Sequence, residues 1–292
     1  MQRLRAAAVL VLLLGVVGFL LWRPAQPRAA VYAFLRTRSQ AQTLAGASEY
    51  KSLTGEHATV LFTDRDSTTA PLVLEAADDV YDKVAASVGF TPPGLVPVIV
   101  RPDRATLQRA FGWSSGESAL GVYKSGVIQV LSPHAWLHVT GAAARRSAFV
   151  HLNPLAHELT HYVLDYATQG NYPRWFTEGL AQRVEYQITG YLWLDPAGSV
   201  RQHLYSLQEM ADNFDDLANQ ALAYRESYLL VDYVAQRWGE SALQQLVQDL
   251  AHQRSFDAAV ERATGLHQTE FESAWRSWIA ENADRLDAAL QG

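Results

Sequence analysis

The chain contains no cysteine, so no disulfide staples it and no thiolate is on offer; a bound metal ion would have to be held by histidine and carboxylate. That absence says nothing about the redox compartment. A cationic excess is missing too. Lys and Arg number 24 against 30 Asp and Glu, a formal net charge of −6, which argues against nucleic acid as a partner. No phosphate loop, dinucleotide-binding glycine fingerprint, internal repeat or low-complexity tract is found along the chain. What is present is ordinary for a globular protein: 292 residues, 49% hydrophobic and 18% charged, enough to bury a full core in one large domain or two small ones.

The stretch that carries chemistry is Asn153 to Tyr166, NPLAHELTHYVLDY. Leu155, Leu159, Tyr162, Val163 and Tyr166 recur at helical spacing, and Asn153 before Pro154 reads as an N-cap followed by proline at the first helical position. On that helix His157 and His161 stand one turn apart on one face, a two-toothed claw for a metal ion. Neutral imidazole nitrogens suit a borderline-soft cation such as Zn²⁺, and Glu158 is placed to take a proton from a water on it, the H-E-x-x-H pattern. A catalytic zinc normally has three protein ligands. The candidate for the third is Glu178, on a second helix within Tyr172 to Tyr186; Ala167 to Asn171, containing Gly170, can turn the chain so that the helices pass side by side.

His157-Glu158-x-x-His161 followed by Trp175-x-x-Glu178-Gly179 resembles the gluzincin zinc metallopeptidases, in the form found in aminopeptidase N-type and peptidase MA-like families, and the first helix is similar to that of thermolysin. The resemblance spans about Ala119 to Leu250. It implies His157, His161 and Glu178 as zinc ligands and Glu158 as general base. Tyr224, in Tyr224-Arg-Glu-Ser-Tyr-Leu-Leu-Val-Asp-Tyr-Val, matches a tyrosine that helps stabilise the transition state in aminopeptidase N-type enzymes; a core tyrosine is the plainer alternative. The implied fold is α+β: a thermolysin-like zincin domain, with a small mixed β-sheet subdomain followed by a mainly helical one. The sequence also departs from the family. No Gly-x-Met-Glu-Asn segment, by which aminopeptidases capture a free amino terminus, precedes His157, so aminopeptidase activity is not implied, and the interval from His161 to Glu178 is slightly short.

Ahead of this domain, residues 1–5 form a basic head with Arg3 and Arg5, and Ala6 to Trp22 is an unbroken apolar run. As a helix it spans roughly 25 Å, at the lower limit for crossing a bilayer core of about 30 Å. Arg23-Pro24, Pro27 and Arg28 spoil a signal-peptidase site, so the run is expected to be a retained transmembrane helix rather than a cleaved signal, with Trp22 at the interface. The arginines after the run would by strict count place the domain in the cytoplasm, whereas a short basic head before an apolar run begins exported anchors. The expectation is a single-pass cell-membrane protein with its catalytic domain outside. Residues 23–55, rich in Pro, Ala, Arg, Ser, Gln and Thr, read as a stalk with a short helix over Ala29 to Leu44 and solvated or headgroup-facing charges.

Residues 56–150 alternate strand and helix patterns: strands at His57 to Thr63 and Val96 to Val100, helices at Ala70 to Val88 and Asp103 to Phe111. Ala119 to Tyr123 and Val127 to Leu131 read as a hairpin through Lys124-Ser125-Gly126, either a substrate platform at the sheet edge or a purely structural hairpin. His134, His138 and His151 read as loop or surface histidines. Asp165 could orient a ligand imidazole or sit on the surface. Residues 151–292 read as mainly helical, with helices over Val200 to Met210, Tyr224 to Trp238, Ser241 to Gln253, Ser255 to Ala263 and Gln268 to Leu290; Tyr228, Leu229, Val231, Tyr233, Trp238, Phe271, Trp275 and Trp278 read as core. The expected function is zinc-dependent peptide-bond hydrolysis at a membrane, with a peptide or protein as substrate. The rivals are a catalytically silent gluzincin-like binding module and a zinc hydrolase acting on a non-peptide amide.

Overall fold

The computed structural model describes residues 25–114 and 119–290. The expected membrane-spanning run lies outside them, and among the described residues no helix is long and apolar enough to cross a membrane. The described chain is α+β, with a small mixed sheet followed by a mostly helical remainder.

Helix α1 (Ala25–Ala45) leads into strands β1 (Lys51–Thr54) and β2 (Ala58–Phe62), helix α2 (Ala70–Val88), strand β3 (Val96–Arg101), helix α3 (Arg104–Phe111) and the hairpin of β4 (Gly121–Lys124) and β5 (Val127–Leu131). The sheet runs β1-β2-β3-β5-β4, with β2, β3 and β5 parallel and the outer strands antiparallel, so β4 is a free edge. Residues of β3 and β5 are buried almost throughout, as parallel strands covered on both faces must be. The hairpin turn needs positive φ at Ser125 (47°) and Gly126 (85°), the conformation of a two-residue hairpin loop.

Helix α4 (Ala142–Leu152) comes next, then α5 (Leu155–Thr168), α6 (Arg174–Thr189), α7 (Leu207–Asp212), α8 (Gln220–Trp238), α9 (Glu240–Ala251), α10 (Phe256–Thr264) and α11 (Gln268–Ala288). Helix α5 lies between α2 on the sheet side and α6 on the other, and α6 in turn packs on α8. One continuous core joins Val60 and Val98 of the sheet to Leu159 and Val163 of α5 and to Trp275 of α11. The close approach of α6 to α8 depends on Gly179: a β-carbon there would lie 2.1 Å from the carbonyl oxygen of Ser227.

Several elements differ from the sequence expectation. Helix α4 is unexpected, because its residues lack an amphipathic rhythm. Helix α5 is regular from Leu155, one residue later than expected; Asn153 still serves its start, its Oδ1 accepting from the Leu155 N–H (3.0 Å), while its Nδ2 closes the end of α4 on the Phe149 carbonyl. No helix spans Val200 to Met210. A capping box between Ser206 and Glu209 starts α7 only at Leu207, and upstream the buried Asp287 accepts from Ser199 Oγ and the Val200 N–H.

The largest difference concerns the residues read as a stalk. Helix α1 is hydrogen-bonded to the domain: Tyr32 and Arg36 reach Asp165 on α5, Arg28 reaches Asn171, and Gln40 donates to the Gly126 carbonyl in the hairpin turn. Arg36, expected to be solvated, is only 8% exposed and lies 3.8 Å from the Tyr166 ring centre. Asp165 is 0% exposed, neither on the surface nor bonded to a ligand imidazole. Its Oδ1 accepts from the hydroxyls of Tyr32 and Tyr172, and its Oδ2 from Tyr123 (2.7 Å) and Arg36 (3.0 Å). Two acceptances per oxygen use about all the lone-pair directions of a carboxylate, which is how a buried charge escapes its desolvation cost.

Two outcomes are expected. Arg36→Ala leaves Asp165 buried without its counter-charge and should destabilise the fold by about 3–5 kcal/mol in denaturant titration; a loss below about 1 kcal/mol would contradict the role given to the pair. Glu226, buried on α8 with its Oε1 accepting from the Tyr205 N–H (3.0 Å), is pushed by burial from 4.5 up to about 8. A carboxyl that holds its proton more tightly when folded contributes stability below its unfolded pKa and loses it as pH rises through the folded value. The unfolding midpoint should therefore fall between about pH 5 and about pH 8, and Glu226→Gln should make that fall shallower, most of all at its alkaline end.

Candidate metal centre

Helix α5 presents His157 and His161 one turn apart, with ring centres 4.8 Å apart, and α6 carries Glu178 opposite them. Ligand atoms of His157, His161 and Glu178 all lie within 4.8 Å of one another. His157 Nε2 is 3.3 Å from Glu178 Oε2, and His161 Nε2 is 3.5 Å from Glu178 Oε1. The structure thus brings together all three residues singled out as ligands from the sequence.

The opposite ring nitrogens are occupied by protein. His157 Nδ1 lies 3.1 Å from Glu185 Oε2; a carboxylate only accepts, so a proton sits on Nδ1, while Nε2 is the ring nitrogen that faces Glu178. His161 Nδ1 lies 2.6 Å from Thr177 Oγ1, and an Nδ1–H donating there leaves its Nε2 free. Burial drives the His161 imidazole well below its usual pKa, helped by the charges of His157 and Arg174, so the ring is neutral. For His157, burial acts downward, but the bond and charge of Glu185 outweigh it and leave the pKa raised. Two imidazole nitrogens and a carboxylate oxygen, aimed inward from a buried position, form a donor set that could hold a metal ion.

Glu158 sits beside the cluster with its carboxylate accepting from the Tyr123 N–H of β4 (2.6 Å). Burial lifts its pKa to about 7, against the pull of His157 and of that N–H. The edge strand can come so near because residue 121 is glycine: a β-carbon there would meet Glu158 Cγ at 2.8 Å. Tyr123 therefore ties two points of one α5 stripe to the sheet edge, through its N–H to Glu158 and its hydroxyl to Asp165.

These groups line one cleft of about 1080 Å³ together with residues 119–125 and with Arg174, Trp193, Asp215 and Tyr224. Tyr224 is in the cleft, between the rings of Trp193 (5.6 Å) and Phe214 (5.2 Å). Burial raises its hydroxyl pKa, opposed by the neighbouring Arg174. Arg174 itself donates to Glu178 one turn along α6 and lies 3.4 Å from Asp215. His134, His138 and His151 are not among the cleft residues; His134 Nε2 is 3.1 Å from Thr68 Oγ1.

Sequence reasoning missed Glu185, Thr177 and Arg174. A signal existed for two of them: Arg174 and Glu185 stand four before and seven after Glu178, on its own face of α6.

Comparison with curated proteins finds no match to this chain. Residues 141–281, a little under half of the chain, match the family model of the Peptidase MA superfamily. The matched stretch contains α5, α6 and α8, and so every ligand candidate, Glu158 and Tyr224, while the sheet and its edge strand lie outside it. Over residues 141–281 the chain is similar to that superfamily, which supports a metallopeptidase-like domain built around this cluster.

Proposed function

We propose that this protein is a zinc metallopeptidase of gluzincin type, tethered to the cell membrane by its apolar run, with the catalytic domain on the outer side and peptides or proteins as substrates. The observation that carries the reading is the convergence of His157, His161 and Glu178 from two helices, with both outer imidazole nitrogens already bonded to protein. Zinc is the reading because two imidazoles and one carboxylate form a three-ligand set of the kind that holds a catalytic zinc with a fourth position for water.

When bound, zinc supplies a Lewis acid that polarises a peptide carbonyl and makes a water acidic near neutral pH. Glu158, buried and with a pKa of about 7, accepts that water's proton and returns it to the leaving amine. Its second duty is fixed by the Tyr123 N–H, which holds the carboxylate towards the sheet edge. Tyr224 donates a hydrogen bond to the developing oxyanion from within the same cleft. An extended substrate pairs with the free edge of β4, whose main chain gives affinity with little side-chain selectivity. Glu185 and Thr177 keep the two imidazoles in the tautomer and orientation that a metal needs.

The purified protein is expected to carry about one zinc per chain, and Glu178→Ala to lose it; undiminished metal content by elemental analysis would remove Glu178 from the ligand set. Glu185→Gln and Thr177→Val should each weaken zinc retention against a chelator by about 10–100-fold. Glu158→Gln should retain zinc while peptide hydrolysis drops by about 10²–10⁴-fold, and full turnover in that variant would refute its role as base. Tyr224→Phe should lower kcat by about 10²-fold with metal content unchanged.

A further inference from the structure

We propose that the outer face of α1 rests on the bilayer surface, with Val31, Phe34 and Leu35 set among lipid headgroups, so that the domain lies against the membrane in a fixed orientation.

Val31, Phe34 and Leu35 are 57%, 65% and 54% exposed, the most exposed large apolar side chains in the described chain. At i, i+3 and i+4 they form one contiguous patch on a helix. The opposite face of α1 is fastened to the domain through Tyr32, Arg36 and Gln40, so the patch has a set direction and cannot be hidden by rolling the helix. A core helix would have turned these residues inward.

The occupant follows from what adjoins the patch. The apolar run ends at Trp22, and only Arg23 and Pro24 separate it from the start of α1. From Ala25 to Leu35 the helix is about 15 Å long, so with its axis lying along the membrane the patch stays close to the point where the apolar run would enter a bilayer. Arg38, exposed one turn beyond Leu35, matches anionic headgroups, while Arg28 on the other side of the patch is tied to Asn171. The far half of α1, with Ser39, Gln40, Gln42 and Thr43, is polar, as expected where the helix leaves the lipid boundary. A second copy of the chain is a poor fit, because three side chains offer far less than the roughly 800 Å² per partner of a stable interface.

This inference rests on the membrane-tether reading, and one experiment separates the two. The chain has no cysteine, so Phe34→Cys or Ser273→Cys, the latter an exposed control on α11, places a single environment-sensitive fluorophore in the full-length protein reconstituted into vesicles of zwitterionic and anionic lipid. Vesicle flotation reads the tether. Nitroxide-bearing lipids and aqueous iodide read the patch. The label at position 34 is expected to be blue-shifted, to lose most of its emission to lipid-borne quencher and to be shielded from iodide, with the reverse at position 273. Adding Val31→Glu and Leu35→Glu should return the label at 34 to water while flotation persists. If the chain floats but position 34 behaves as position 273 does, the surface contact is overturned and the tether stands; if the chain does not float, both fail. A blue shift at 34 that follows protein density and ignores the lipid quencher would mean a second copy covers the face, which also overturns the proposal.

Discussion

Two imidazoles and a carboxylate meeting in a largely buried space, with Arg174 paired to the carboxylate, set the terms for everything around them. Their inward-facing nitrogens and oxygens approach one another closely, with Arg174 donating to one carboxylate oxygen, and a divalent cation would be well served by the same donor set. Much of the local architecture serves to hold the three residues in place. Glycine at 179 lets α6 lie flat against α8, which brings Tyr224 into the same cleft as Glu178. Arg174 balances the Glu178 carboxylate from one turn away.

Helix α5 does a second job along the same stripe. Asp165 stands two turns beyond Glu158 and gathers Tyr32, Tyr123, Tyr172 and Arg36. Because Tyr123 touches Glu158 through its N–H and Asp165 through its hydroxyl, the register of the edge strand, the seating of α1 and the position of the candidate base are coupled through one residue. Gln40 adds a bond from α1 to the hairpin turn. The helix that follows the apolar run is thus part of the support of the cleft.

Much of this was legible in the chain itself. The claw at His157 and His161 and the carboxylate at 178 could be named because a metal demands few residue types at fixed helical spacing, and β3, α2 and the hairpin because their hydrophobic periods are clean. What stayed hidden was decided by tertiary context. Arg36 and Tyr32 sit in a stretch whose composition reads as solvated; only the fold reveals the buried carboxylate that claims them. Thr177 acquires its bond to His161 from the crossing of two helices, which no single-helix period encodes. At 200–206 local rhythm suggested helix, but Asp287, distant in sequence, captures that backbone instead.

The central claim is that one cation is held by two imidazoles and one carboxylate. Zinc K-edge X-ray absorption on the purified protein tests it most directly. The account predicts a four- or five-coordinate ion with two nitrogen scatterers at about 2.0–2.1 Å bearing the multiple-scattering signature of imidazole, the remaining ligands being oxygen. An all-oxygen shell without imidazole scattering, or no stoichiometric zinc at all, would contradict it.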